Sequence, residues 1–242
     1  MYPVYFPYYY GFDMTYLTIL LPCLLISLIA SFSVNSTFKK YQKQISSRRI
    51  TGAEAARRVL SANGVTGVQI QRVSGNLTDH YDPRMNVIRL SDSVYDSPST
   101  AAIGVACHEA GHAVQYAHRY FPIRVRAAII PITNIGSRLA MPLILLGIIL
   151  SAMGNFSTVL VDIGIVCFAL SLVFQLVTLP VEFNASRRAI RAIEETEILT
   201  QEERRGAKKT LTAAAMTYVA ATLVAFAQLL RLIMLFGGRR RD

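Results

Sequence analysis

His108-Glu-Ala-Gly-His112 is the stretch of this 242-residue chain best suited to carry out a reaction. On a helix, side chains four residues apart stand about 40° apart around the axis, so His108 and His112 share a face and can reach one metal ion. Zinc held by two imidazoles and one more protein ligand keeps a fourth position for water and lowers that water's pKa toward neutrality. Glu109 then suits the general base, which takes a proton from the water and passes it to a leaving amine. The chemistry expected of these residues is peptide-bond hydrolysis. The flanking Ala106, Ala110, Gly111, Ala113 and Val114 are small or apolar, and a charged triplet within such a helix is costly to bury without a role. Two of only four histidines in the chain lie here. Cys107 precedes His108, but adjacent helix positions diverge by about 100°, which rules it out as a ligand to the same ion.

Three residues compete for the third ligand position. His118 follows His112 by six residues, as in the metzincin signature, but that signature needs Gly where Gln115 stands. Without the glycine the helix continues, and His118 lies about 240° around the axis from His112. It is better placed near the helix end, where a cation suits the dipole. His80, in Thr78-Asp-His-Tyr81, has no spacing that fixes it to the pair. Glu182, in Pro180-Val-Glu-Phe-Asn-Ala-Ser186, would be a carboxylate from a second helix, the other common solution for this motif. Arg187 and Arg188 are its nearest cations in sequence.

The elements that must position these residues are largely apolar. Hydrophobic residues make up 52% of the chain and cluster in long runs. Residues 1–13 are aromatic and carry no cation, which suits a membrane interface. Residues 14–34 are long enough to cross a hydrocarbon core. Residues 127–154 and 158–179 predict a membrane hairpin around Gly154-Asn-Phe-Ser157. Residues 211–236 form another apolar stretch, interrupted by Arg231, so three or four spans are consistent with the pattern. Lys39, Lys40 and Lys43 follow the first run, and Arg187, Arg188 and Arg191 follow the third. The positive-inside rule therefore places the N-terminus outside and residue 39 onward in the cytoplasm. The net charge of +10 is thus read as a topology signal. No nucleic-acid-binding motif accompanies it. The three cysteines show no paired spacing for a cluster or disulfide frame.

Between the first span and the hairpin, Thr51-Gly-Ala-Glu54 is a capping box that opens a helix to about Ala62. Val68–Val73 alternates like a strand, and Val87–Leu90 reads as a second strand after a turn at Asp82-Pro83. Ser97-Pro-Ser99 starts the helix that carries the histidines, expected to run to about Arg119. Thr200-Gln-Glu-Glu203 is a second capping box.

With this order of elements, Leu77–Arg84, Ile88–Ser91, His108–Gln115 and Pro180–Ser186 together resemble the YugP-type membrane zinc peptidases (zinc-dependent peptidase family 2). More distantly, the chain resembles the HtpX and Ste24 proteases. The resemblance spans nearly the whole chain. It implies an α+β, mostly helical, gluzincin-like protease domain on three or four transmembrane helices, with one zinc ion held by His108, His112 and Glu182. Ser186 stands where the HtpX group has Asp, so support for a ligand histidine is expected from Asn184 or Asp79. The strand containing Ile88, Arg89 and Leu90 is expected to be an edge to which a substrate peptide adds. His80 or Tyr81 is expected to stabilise the oxyanion. The expected organisation is an aromatic segment and first span (1–35), a cytoplasmic protease domain (36–126) and a membrane hairpin (127–180). A cytoplasmic helix with the third ligand (181–210) and an apolar helix with a basic tail (211–242) complete it. The partners are protein or peptide substrates and the lipid bilayer, with no nucleic acid. The expected location is a bacterial plasma membrane, with the site on the cytoplasmic side. Two rival readings are a non-catalytic membrane scaffold stabilised by zinc and a transporter component.

Overall fold

The computed structural model describes residues 14–153 and 158–236. The aromatic leader 1–13, the turn expected at 154–157 and the tail cations Arg239–Arg241 lie outside them. A π-helical turn, Tyr16–Leu20, opens α1 (Leu21–Gln42), followed by α2 (Gly52–Ala62), β1 (Gln69–Val73), β2 (His80–Asp82), β3 (Val87–Ser91), α3 (Thr100–Ala117), α4 (Phe121–Ala152), α5 (Thr158–Glu195) and α6 (Gln201–Phe236). Among the described residues, four helices are long and apolar enough to cross a membrane: Tyr16–Gln42, Phe121–Ser151, Val159–Glu195 and Gln201–Phe236. Leu28, Ile29, Phe32, Val166 and Phe226 project outward from them, an arrangement lipid accepts and water penalises. Arg231, awkward in the last apolar stretch, has its guanidinium 5.4 Å from the centre of the Tyr16 ring, a cation–π contact.

Small residues let the spans approach. On α4, Gly136 faces Cys167 and Leu170, and Gly147 faces Val161; on α5, Gly164 faces Ala140 and Ile144. This is the close packing that small residues allow where no hydrophobic effect pulls helices together. The boundaries expected at 126, 180 and 210 all fall inside helices: α4, α5 and α6 each run unbroken past them. α5 carries Pro180 without ending, because the helices packed around it hold the geometry that a lone proline would break.

The domain at the ends of these helices is built around α3. Its Ala101, Ala102, Ala106, Ala110 and Ala113 are almost fully buried, and Gly104 faces Ala207 of α6. Ile103 of α3, Phe38 of α1, Val59 of α2, Ile88 and Leu90 of β3 and Ile193 of α5 form one core. Each such large side chain contributes about 1.5–3 kcal/mol by leaving water. Both capping boxes form at least in part. Thr51 accepts from Glu54 N, and Glu203 N donates to Thr200 Oγ1 while Thr200 N donates to Glu203 Oε2 at 2.9 Å. Glu203 also accepts from Ser47 N at 2.7 Å and Ser47 Oγ at 2.6 Å, tying the start of α6 to the loop after α1.

The sheet corrects one expectation. Its order is β1-β3-β2, so the strand with Ile88, Arg89 and Leu90 is central, parallel to β1 and antiparallel to β2. It is not an edge. Ile88 and Leu90 are fully buried, and Arg89 pairs with Asp82 at 3.0 Å. The missed strand, β2, has three residues, too few for alternation to show. It is β2 that forms the edge beside α3.

Replacing Glu203 by Ala leaves three donors without their acceptor and lowers stability by about 2–3 kcal/mol. Replacing the exposed Glu202 changes it by less than about 0.5 kcal/mol. Chemical unfolding in mild detergent checks the difference.

Candidate metal centre

α3 places His108 and His112 one turn apart, with ring centroids 4.7 Å apart and planes at 84°. Glu182 of α5 meets them: its Oε2 lies 3.2 Å from His108 Nε2 and 3.5 Å from His112 Nε2. One ligand atom from each of the three residues falls within 4.8 Å of the others, a spread that suits one ion with bonds of about 2 Å. Two imidazoles and a carboxylate are a donor set suited to zinc. The approach of α5 depends on Gly111, where a Cβ would stand 2.8 Å from the Ala185 carbonyl oxygen.

The far side of each candidate ligand is held. Gln115, fully buried, donates through Nε2 to the Val181 carbonyl at 2.8 Å and to Asn184 Oδ1 at 3.0 Å. Its Oε1 therefore faces His112 Nδ1, at 3.0 Å, and can only accept. Nδ1 therefore carries a proton, and Nε2, which faces Glu182, is the atom that would take a metal. Ser186 Oγ lies 3.1 Å from His108 Nδ1 and can accept from it, the direction that would turn Nε2 to a metal there too. Support for the histidine thus comes from Ser186 itself. Asn184 accepts from Gln115 and from Arg188 Nε instead, and Asp79 accepts from Ser91 N and Oγ. The cation beside Glu182 is Arg126 of α4, with Nη1 3.4 Å from Oε1, rather than Arg187 or Arg188.

Charge at the centre is compensated. Burial works against a proton on His112, but the hydrogen bond to Glu182, the charge of Glu109, the charge of Glu182 and the bond to Gln115 raise its pKa above the ordinary histidine value. The cluster favours a positive charge among its side chains. Burial pushes the Cys107 thiol far up, which keeps it from acting as a thiolate ligand.

A cavity of about 280 Å³ opens on the three ligand side chains and on Glu109, which is itself buried. His80 and Tyr81 line it from β2, as do Tyr116, Arg126 and Tyr218. His80 Nδ1 lies 2.9 Å from the Thr78 carbonyl, and the Tyr81 hydroxyl donates to Asn86 Oδ1 at 2.8 Å. His118 caps the C-terminus of α3 and is exposed, away from the ligands. There Arg119 adopts φ 51°, Tyr120 N donates to the Gln115 carbonyl and Arg119 N to the Tyr116 carbonyl. This Schellman turn ends the helix without glycine and swings α4 back so that Arg126 reaches Glu182. Ile88 and Leu90 lie in the core, not at the cavity. Gln115 had a legible signal: it stands three residues after His112, on the same helix face. Tyr116, four residues after His112, had the same signal; Arg126 and Tyr218 had none.

The profile of the family described as "Putative neutral zinc metallopeptidase" matches residues 16–237. A curated relative, "Putative membrane protease YugP" of Bacillus subtilis (strain 168), is 44% identical over 229 residues, covering 95% of this chain and all of the relative. No solved structure matches the chain.

Gln115→Ala is expected to weaken metal binding about 10–100-fold by freeing the His112 ring, with the chain still folded. Competition with a chromophoric chelator measures it, and an unchanged affinity would show that the ring is held by packing alone.

Proposed function

The chain belongs to the neutral zinc metallopeptidase family, and from that premise we propose that it is an integral-membrane zinc endopeptidase of gluzincin type, with His108, His112 and Glu182 as ligands and Glu109 as general base. The observation that carries this reading is the meeting of these three ligand side chains at one point, with the Glu109 carboxyl buried beside the same cavity. When bound, zinc supplies Lewis acidity that makes water a nucleophile at neutral pH. The chain's own residues do the rest. Glu109 accepts the proton of the attacking water and delivers it to the departing amine nitrogen. Gln115 and Ser186 hold the imidazoles, and Arg126 balances Glu182 from outside. The carbonyl oxygen of the scissile bond gathers negative charge, and His80, on the cavity wall, is the proposed donor to it. Tyr81 is the weaker candidate because its hydroxyl already serves Asn86.

The depth of the site supports substrates at the membrane surface. Glu182 stands about 36 Å along α5 from Thr158, against a hydrocarbon core of about 30 Å. The ligands therefore lie at the boundary where the helix leaves the bilayer. Cations after the first and third spans favour the cytoplasmic side for that boundary, and the proposed location is a bacterial plasma membrane. β2 is an edge strand that also lines the cavity, so an extended peptide entering there finds free backbone groups beside the metal.

Glu109→Gln is expected to keep stoichiometric zinc and to lose peptide hydrolysis by a factor of about 10²–10⁴. Glu182→Ala should lose zinc while His118→Ala keeps it, as measured by metal content per chain in detergent. Zinc lost in His118→Ala and kept in Glu182→Ala would sink the ligand assignment. Full activity in Glu109→Gln would sink the mechanism. Preference for unfolded soluble chains over substrates with a membrane segment would remove the juxtamembrane assignment.

A further inference from the structure

The back of the metal centre opens onto a second feature that hydrolysis does not use. Between α5 and α6 lies a trough of about 350 Å³, and between α1 and α6 a hollow of about 470 Å³. Lys208 and Thr212, one turn apart on α6, line both. The trough has a polarity gradient. α5 and α6 run in opposite directions, yet Arg187 and Arg191 on one and Lys208 on the other mark the same end. Phe183, Leu211 and Ala215 lie toward the spans. The hollow adds Lys40, Arg205 and Lys209 at the cationic end.

Four of these cations have no acid partner among the described residues. Glu194, the acid in the trough, pairs with Arg204, and Arg191 pairs with Glu195. Lys40 lies over the Tyr41 ring. Among the described residues no acid pairs with Arg187, Arg205, Lys208 or Lys209, all exposed. A topology signal alone requires cations near the end of a span. It does not require them to rim an apolar trough.

We propose that this groove holds one anionic diacyl phospholipid, with its phosphate on Lys208 and Arg187 at the rim and an acyl chain in the trough along Leu211 and Ala215. Basic pockets between helices at the cytoplasmic boundary suit an anionic headgroup, and the apolar floor gives a chain what a free anion lacks. The trough also touches Ser186, whose hydroxyl holds His108 Nδ1 on the side away from the ligand position. Lipid packed there immobilises Ser186 and through it the His108 ring. This coupling rests on His108 being a zinc ligand; the lipid site does not.

The test uses the full-length protein in mild detergent, with native mass spectrometry of retained lipid and a chelator assay of zinc loss. Dioleoylphosphatidylglycerol is expected to be retained at one per chain, at least tenfold more tightly than dioleoylphosphatidylcholine, and to slow zinc loss several-fold. The double variant Lys208→Gln, Arg187→Gln should keep its zinc but treat the two lipids alike. Thr212→Phe, which narrows the groove and leaves the cations, should also lose the lipid. Equal retention of both lipids by the wild type, or unchanged selectivity in the double variant, overturns the site. So does displacement of the lipid by millimolar inorganic phosphate, or its retention by Thr212→Phe, since either would make this a headgroup-only anion site. Selective lipid retention with no effect on zinc loss overturns the coupling through Ser186.

Discussion

A pair of histidines one turn apart needs only one helix, but a third ligand from another helix needs two backbones in near contact. That contact is the constraint on which the rest of the molecule depends. α3 meets α5 at Gly111 against Ala185, one turn past Glu182, and a side chain there would separate the carboxylate from the imidazoles. The run of Ala and Gly through α3 follows from this. A helix enclosed by α2, α5 and α6 can present polar groups at one face only if its other faces take up little room. Core volume is supplied by larger side chains from the surrounding elements, among them Phe38, Ile88, Leu90 and Ile193.

Close approach creates an electrostatic difficulty, since a buried carboxylate is expensive unless compensated. Glu182 is compensated on both oxygens: Oε2 faces the two histidines, and Oε1 faces Arg126. The arginine arrives because α3 ends in a Schellman turn and α4 begins directly after it, at Phe121. Gln115 joins the two halves, holding His112 with its oxygen and α5 with its nitrogen. One amide thus fixes both a tautomer and a helix-to-helix distance.

The sequence made the histidine pair with Glu109 beside it, both capping boxes and most helix starts legible, because each is written within a few adjacent residues. Glu182 could be reached from residue type and from resemblance, although its spacing from the histidines, 70 residues and more, carries no geometric information. What spacing could not show was whatever depends on separate elements meeting. Arg126 and Tyr218 come from different helices into one cavity. β2 is too short to alternate, and the edge expected of the central strand rested on resemblance alone. The continuity of α4, α5 and α6 was hidden for another reason. Composition changes from apolar to charged where a helix leaves lipid, and that change looks like a boundary even though the backbone passes through it unbroken.

That continuity has a mechanical consequence. In a soluble domain tethered by a linker, the site would sample many heights above the bilayer. Here Glu182, Arg126 and Tyr218 are mounted on the same rods that lie in lipid, so the height of the metal centre is set by helix length, at about 1.5 Å per residue. On the proposed function, a bond presented at that height in a substrate's own membrane segment would already be near the attacking position. Confinement to that plane replaces part of the entropy a soluble encounter would lose. By the same rigidity, a change in bilayer thickness, or the lipid proposed between α5 and α6, would be felt at the candidate ligands, because α5 and α6 run from the spans to the site without a break.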